Sequence, residues 1–152
     1  MLTTLIDYGG RLHPLLVHFP IAFLLAGAAI EVARWRRDGA ALGALERWAV
    51  GIGAAGAVLA AFTGWLFAYQ VHRPPELRPI LLWHRWLGVA LAGVSILAAW
   101  AAYRWAETTS PRARWARGLL VGASGVLLVV VGHLGAALVW GTDFFAPPGF
   151  AE

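Results

Sequence analysis

Arg11-Leu12-His13-Pro14-Leu15-Leu16-Val17-His18-Phe19-Pro20 opens an apolar run that continues to Ala33 and carries two imidazoles and two prolines at its head. At 1.5 Å per residue a helix over this run crosses the ~30 Å hydrocarbon core of a bilayer. His18 then lies inside the edge of that core, where an ionisable side chain is costly unless it has a partner or a task. Pro14 fits the first turn of the helix, where no amide hydrogen bond is lost. Pro20 does not, and it predicts a kink just beyond His18.

The rest of the chain has the same character. Of 152 residues 60% are hydrophobic and only 13% charged, with a mean hydropathy of +0.67. Those values describe an integral membrane protein rather than a soluble domain. The net charge of +4 does not point to nucleic acid, because the arginines lie in short segments between apolar runs, as topology signals do. With no cysteine, disulfides, thiolate metal sites and covalent c-type haem attachment are excluded. The N-terminus shows neither a basic n-region nor a small-residue cleavage site, so the first membrane helix is expected to direct insertion.

Periodicity and punctuation divide residues 1–152 into one all-α domain of four transmembrane helices, at about 12–34, 44–69, 80–105 and 116–140, in an up-down-up-down bundle. Gly9-Gly10 reads as a turn before the first helix. In the second, Gly56, Ala60 and Gly64 recur every four residues, a small-residue face that lets a neighbouring backbone come close. Pro74-Pro75 and Pro79 break the second connection, and Ser110-Pro111 breaks the third. In the third helix Gly88, Leu91, Ser95, Ala98 and Ala102 continue the face of His84; in the fourth, Val126, Val129 and Trp140 share the face of His133. Glu31 finds a ready partner in Arg34 at i+3.

Arginines near the helix ends set the expected orientation. Eight (Arg34, Arg36, Arg37, Arg47, Arg104, Arg112, Arg114, Arg117) flank the first and third connections, against four (Arg11, Arg73, Arg78, Arg85) at the other side. The positive-inside rule then places both termini outside. Trp35, Trp48, Trp105 and Trp115 mark the cytoplasmic interface, and Trp65, Trp83, Trp86 and Trp140 the opposite one.

In that topology three helices deliver imidazoles to one outer layer: His13 and His18 from the first, His84 from the third and His133 from the fourth. Independent packing histidines have no reason to share a level in the membrane.

Leu12-His13-Pro14, Val17-His18-Phe19-Pro20-Ile21, Thr63-Gly64, His84-Arg85-Trp86-Leu87-Gly88 and Gly132-His133-Leu134-Gly135 resemble the motifs of a bacterial four-helix membrane family of the domain-of-unknown-function type, family 2231. The resemblance covers nearly the whole chain and implies the bacterial inner membrane. Family members occur alone or joined to c-type cytochrome or Rieske domains, which implies company with electron transfer. The family's fourth helix ends in a Gly-Gly, Tyr and His-Gly pattern where this chain has Gly135-Ala136, Val139-Trp140 and Gly141-Thr142, so a role carried by that terminal histidine is absent here or moved.

Three classes of function follow. The first is an electron-transfer protein or subunit with a single b-type haem near the periplasmic face. Helices one and three of such a bundle are diagonal neighbours, and an iron between two imidazoles needs backbones farther apart than the ~8–10 Å of adjacent helices. His18 and His84 are therefore the expected iron ligands, His133 a neighbouring group, and His13, Arg11 and Arg85 the groups meeting propionates. Its partners would be the lipid bilayer and a c-type cytochrome, a Rieske protein or a larger redox complex. The second class is a structural or assembly subunit without a cofactor. The third is a histidine copper or zinc site, which lacks supporting methionine, cysteine or acid. No serine or threonine stands in a nucleophile elbow and no glycine motif follows a strand, so no catalytic residue is assigned.

Overall fold

Four helices account for most of the described residues. The computed structural model describes residues 8–37, 40–71 and 74–142, and no strand occurs among them. The spans are Tyr8–Arg36 (α1), Ala40–Gln70 (α2), Arg78–Arg104 (α3) and Pro111–Trp140 (α4), each long and apolar enough to cross a membrane. A short 3-10 turn, Pro75–Leu77, leads into α3. Prolines start helices here rather than only ending them. Pro79 and Pro111 sit in the first turns of α3 and α4, where their missing N–H groups have no intrahelical partner to lose. For that reason α4 begins at Pro111, ahead of the expected position near 116.

α1 is a helical turn at 8–11 followed by the pieces His13–Leu16 and His18–Arg36. Pro20 has no N–H for the Leu16 carbonyl and crowds it, and regular helix is interrupted at Val17. The interruption thus precedes His18 instead of following it. Gly9-Gly10, expected as a turn, is helical. A Cβ on Gly9 would stand 3.2 Å from Leu66 and one on Gly10 2.9 Å from the Phe67 amide, so the glycines let the start of α1 lie on the end of α2.

Each helix packs on two neighbours: α1 on α2 and α4, α3 on α2 and α4, with α1 and α3 diagonal and the α1–α4 contact the least extensive of the four. The α1–α2 seam is built on small residues. A Cβ on Gly53 would lie 2.7 Å from Leu24, one on Gly56 2.8 Å from Phe19, and one on Gly64 2.9 Å from His13. The stripe of Gly56, Ala60 and Gly64 therefore does face a neighbour, and that neighbour is α1. Leu24, Val50, Ala57, Leu91, Ala98, Val121 and Leu128 form the core between the helices. Leu91, Ser95, Ala98 and Ala102 are buried along the face of His84.

At the end of the bundle where α1 finishes and α4 starts, four charged side chains are buried together. Arg34 of α1 bonds Glu46 of α2. Arg117 of α4 bonds Glu31 of α1 through Nε at 3.1 Å and Nη2 at 3.3 Å, and its Nε lies 3.7 Å from Glu46. Trp35 Nε1 donates to Glu31 at 3.0 Å. Arg34 and Arg117 also reach the Ala106 and Trp105 carbonyls after α3, at 2.7 and 3.0 Å. Glu31 is thus held by Arg117 rather than by Arg34 at i+3, because Arg34 turns toward α2 and takes Glu46. Such a cluster pairs charges that would be prohibitive singly in lipid, though Arg34 Nε and Glu46 Oε1 are buried without a hydrogen bond, and it ties all four helices at one end.

Candidate functional site

The opposite end of the bundle holds the imidazoles. His13 lies on the bare backbone at Gly64, and its Nδ1 donates to the Ala60 carbonyl at 3.0 Å, with Thr63 Oγ1 at 3.5 Å. His84 repeats this on the other hairpin: it lies against Gly135, where a Cβ would be 3.1 Å away, and its Nδ1 donates to the Val131 carbonyl at 3.0 Å. A carbonyl only accepts, so each Nδ1 carries a proton and each neutral ring presents an Nε2 lone pair. That nitrogen is the one free to ligate.

The two arrangements are the same motif twice. Each histidine is 47 positions before its carbonyl partner and 51 before its glycine, and a displacement of 71 residues carries the first set onto the second. The same displacement carries Arg34 and Glu46 onto Trp105 and Arg117, which are themselves bonded. Helices α1–α2 and α3–α4 are thus two versions of one hairpin, and the His13 and His84 rings approach across the axis between them, with centres 6.4 Å apart and planes at 79°. The matched spacing from histidine to glycine was the available signal for this pairing in the sequence.

Both rings line a cavity of about 570 Å³, within the roughly 300–1,000 Å³ range of cofactor and ligand sites. Its walls are mostly apolar, among them Pro20, Leu91, Leu128 and Val131. His18 also lines it, but the ring is exposed and its Nδ1 donates within its own helix, to the Leu15 carbonyl at 3.2 Å. Arg85 lines it with its guanidinium 3.6 Å from the centre of the Trp65 ring; its Nε is buried without a hydrogen-bond partner. Trp65 thus forms part of the wall.

The remaining candidates are placed elsewhere. His133 is exposed on the outward face of α4 with Val126 and Val129, and it does not line the cavity. Arg11 is exposed on the first turn of α1 and makes no hydrogen bond or ion pair among the described residues. The imidazole that meets His84 is therefore that of His13, with His18 at the exposed edge of the cavity and His133 outside it. Among the described residues no three His, Cys, Asp or Glu side chains converge as a metal site.

No curated protein and no solved structure matches the chain. A family of predicted membrane proteins, DUF2231, matches residues 9–144, which takes in the four spans and both histidine–glycine contacts. By that match the chain belongs to the DUF2231 family of predicted membrane proteins.

Proposed function

We propose that this is an electron-transfer protein or subunit of the bacterial cytoplasmic membrane, holding one b-type haem between His13 and His84 near the periplasmic face. The observation that carries the reading is the pair of rings, each fixed through Nδ1, 6.4 Å apart at a cavity of about 570 Å³. Two imidazoles that both bound one metal at about 2.0 Å would have ring centres up to roughly 6 Å apart. A direct ring-to-ring hydrogen bond would bring the centres closer. Zinc, by contrast, calls for four ligands where this site brings two imidazoles together, whereas a haem would ask only two of the protein. The sequence pairs His84 with His18; the ring contact favours His13.

A haem in that position supplies single-electron exchange. The residues hold and tune it: the Ala60 and Val131 carbonyls fix both rings in the ligating tautomer and raise their basicity. Arg85, with an unpartnered N–H in an apolar wall, suits a propionate. The expected exchange partner is a periplasmic c-type cytochrome or Rieske protein, the company that the family keeps.

Absorbance of protein purified from cells supplied with haem tests this. Wild type should show a low-spin haem spectrum that His13→Ala and His84→Ala abolish and His18→Ala and His133→Ala retain. Wild type that takes up no haem overturns the proposal. A second reading, a structural subunit, is favoured by the placement of both rings on Gly64 and Gly135, where each ties one helix of a hairpin to the other. In that case His13→Ala lowers thermal stability while no variant changes any spectrum.

A further inference from the structure

Three imidazoles line the cavity and all three commit Nδ1 to a backbone carbonyl, yet only two of them are in ring contact with each other. His18 is the third. It lies about 15 Å along α1 from Tyr8, exposed on the surface that the bilayer covers. Because the Leu15 carbonyl only accepts, Nδ1 is the donor to it, and the tautomer that makes this bond leaves Nε2 as an acceptor. Hydrocarbon tails offer no donor, and an unmet acceptor in lipid is unfavourable.

The cavity runs to that same surface. His18 and Ile21 on α1 and Gly132, Val139 and Trp140 on α4 are exposed, and all of them line it. They border the least extensive helix contact in the bundle. A molecule diffusing in the bilayer can therefore enter sideways, and one that carries a hydroxyl meets an acceptor at the entrance.

We propose that the opening between α1 and α4 docks a lipid-soluble hydroquinone, whose hydroxyl donates to His18 Nε2 while its ring enters beside Ile21, Val139 and Trp140 and its apolar tail stays in the bilayer. The need for a hydroxyl donor stands on His18 alone. The choice of a hydroquinone among hydroxyl donors rests on the electron-transfer reading above. His18 is then a docking group rather than an iron ligand.

The test uses the full chain in nanodiscs, prepared with and without haem, and titrates it with a hydroquinone bearing one isoprenoid unit while tryptophan fluorescence is followed. The control probe is the dimethyl ether of the same hydroquinone, which has no O–H to donate. Saturable quenching by the hydroquinone is expected, weakened roughly tenfold by loss of one hydrogen bond in His18→Phe. His18→Gln, which keeps an acceptor, should recover most of the affinity, and the ether should bind wild type as weakly as the hydroquinone binds His18→Phe. Equal binding of ether and hydroquinone to wild type overturns the proposal, as does the absence of saturable binding. A wild-type dimer that His18→Phe dissociates also overturns it, because the donor then comes from a second copy. Hydroquinone binding through His18 in protein that never takes up haem leaves the docking site standing while the haem reading falls; a haem spectrum without such binding does the reverse.

Discussion

The rings of His13 and His84 stand 6.4 Å apart although they belong to diagonal helices with little direct contact. Each reaches the axis because a glycine on the neighbouring helix leaves room beneath it. Adding that methyl group should push the ring off its carbonyl. Gly64→Ala and Gly135→Ala are expected to lower haem retention at least tenfold, by misplacing a ligand whose tautomer depends on the displaced hydrogen bond. Haem loss to apomyoglobin measures this, and retention equal to wild type would show that the glycines matter only for packing.

Arg85 sits in the cavity wall with a buried N–H and no acid paired with it among the described residues. Wild type should therefore prefer haem over haem dimethyl ester, whose propionates are blocked, by a factor of about 10, the scale of one charge-assisted hydrogen bond. Arg85→Gln should bind the two alike. Reconstitution titrations followed at the Soret band give both numbers.

Arg117 is bonded to Glu31 and lies 3.7 Å from Glu46, all three buried. Truncating it to alanine leaves two carboxylates facing one remaining arginine, and the expected cost is about 3–5 kcal/mol. Arg117→Lys should recover little, since one ammonium cannot reproduce the bonds to Glu31 and to the Trp105 carbonyl together. Thermal unfolding in detergent is the measurement, and wild-type stability in Arg117→Ala would mean that the cluster is not a tie.

Ala60 is buried in the α1–α2 seam one turn from Gly56 and one from Gly64. Ala60→Leu should separate the helices and cost about 1–3 kcal/mol by overpacking. The same substitution at Ala90, exposed on α3, should cost far less.

Orientation follows the arginine asymmetry. In a chain free of cysteine, Glu76→Cys should be labelled by a membrane-impermeant thiol reagent in intact spheroplasts and Ser110→Cys should not. The opposite pattern would place both the imidazoles and the hydroquinone entrance at the cytoplasmic side.

The spans, the small-residue face of α2 and the buried face of His84 were legible because each follows from periodicity within one helix. Which imidazole of α1 meets His84 was not. The run from Leu12 to Ala33 is apolar on nearly every side, so composition does not show which face turns inward. The structure buries Pro20, Leu24, Gly27 and Glu31, and that face continued back passes through His13, seven positions before Pro20, and leaves His18 to one side. Glu31 was misread for a related reason: i+3 neighbours are visible in a sequence, whereas Arg117, 86 positions away, is not. The pairing of His13 with Gly64 and of His84 with Gly135 was present as a repeated spacing, but the motifs around the two histidines differ enough to conceal it.

Glu46 and Arg117 occupy equivalent places in the two hairpins and carry opposite charge. Where the first half has Glu31 and Arg34, the second has Ala102 and Trp105. The first half on its own has one more carboxylate than arginine at this end; the second has only the missing arginine. Neither half doubled would balance. Two copies of the first would bury an excess of negative charge, and two of the second would bury unanswered cations. A chain descended from paired identical hairpins would thus have lost the option of assembling that way. During synthesis the bundle stays electrostatically unfinished until its last helix enters the membrane, so a protein truncated before Arg117 presents an unpaired carboxylate to the machinery that inspects membrane proteins.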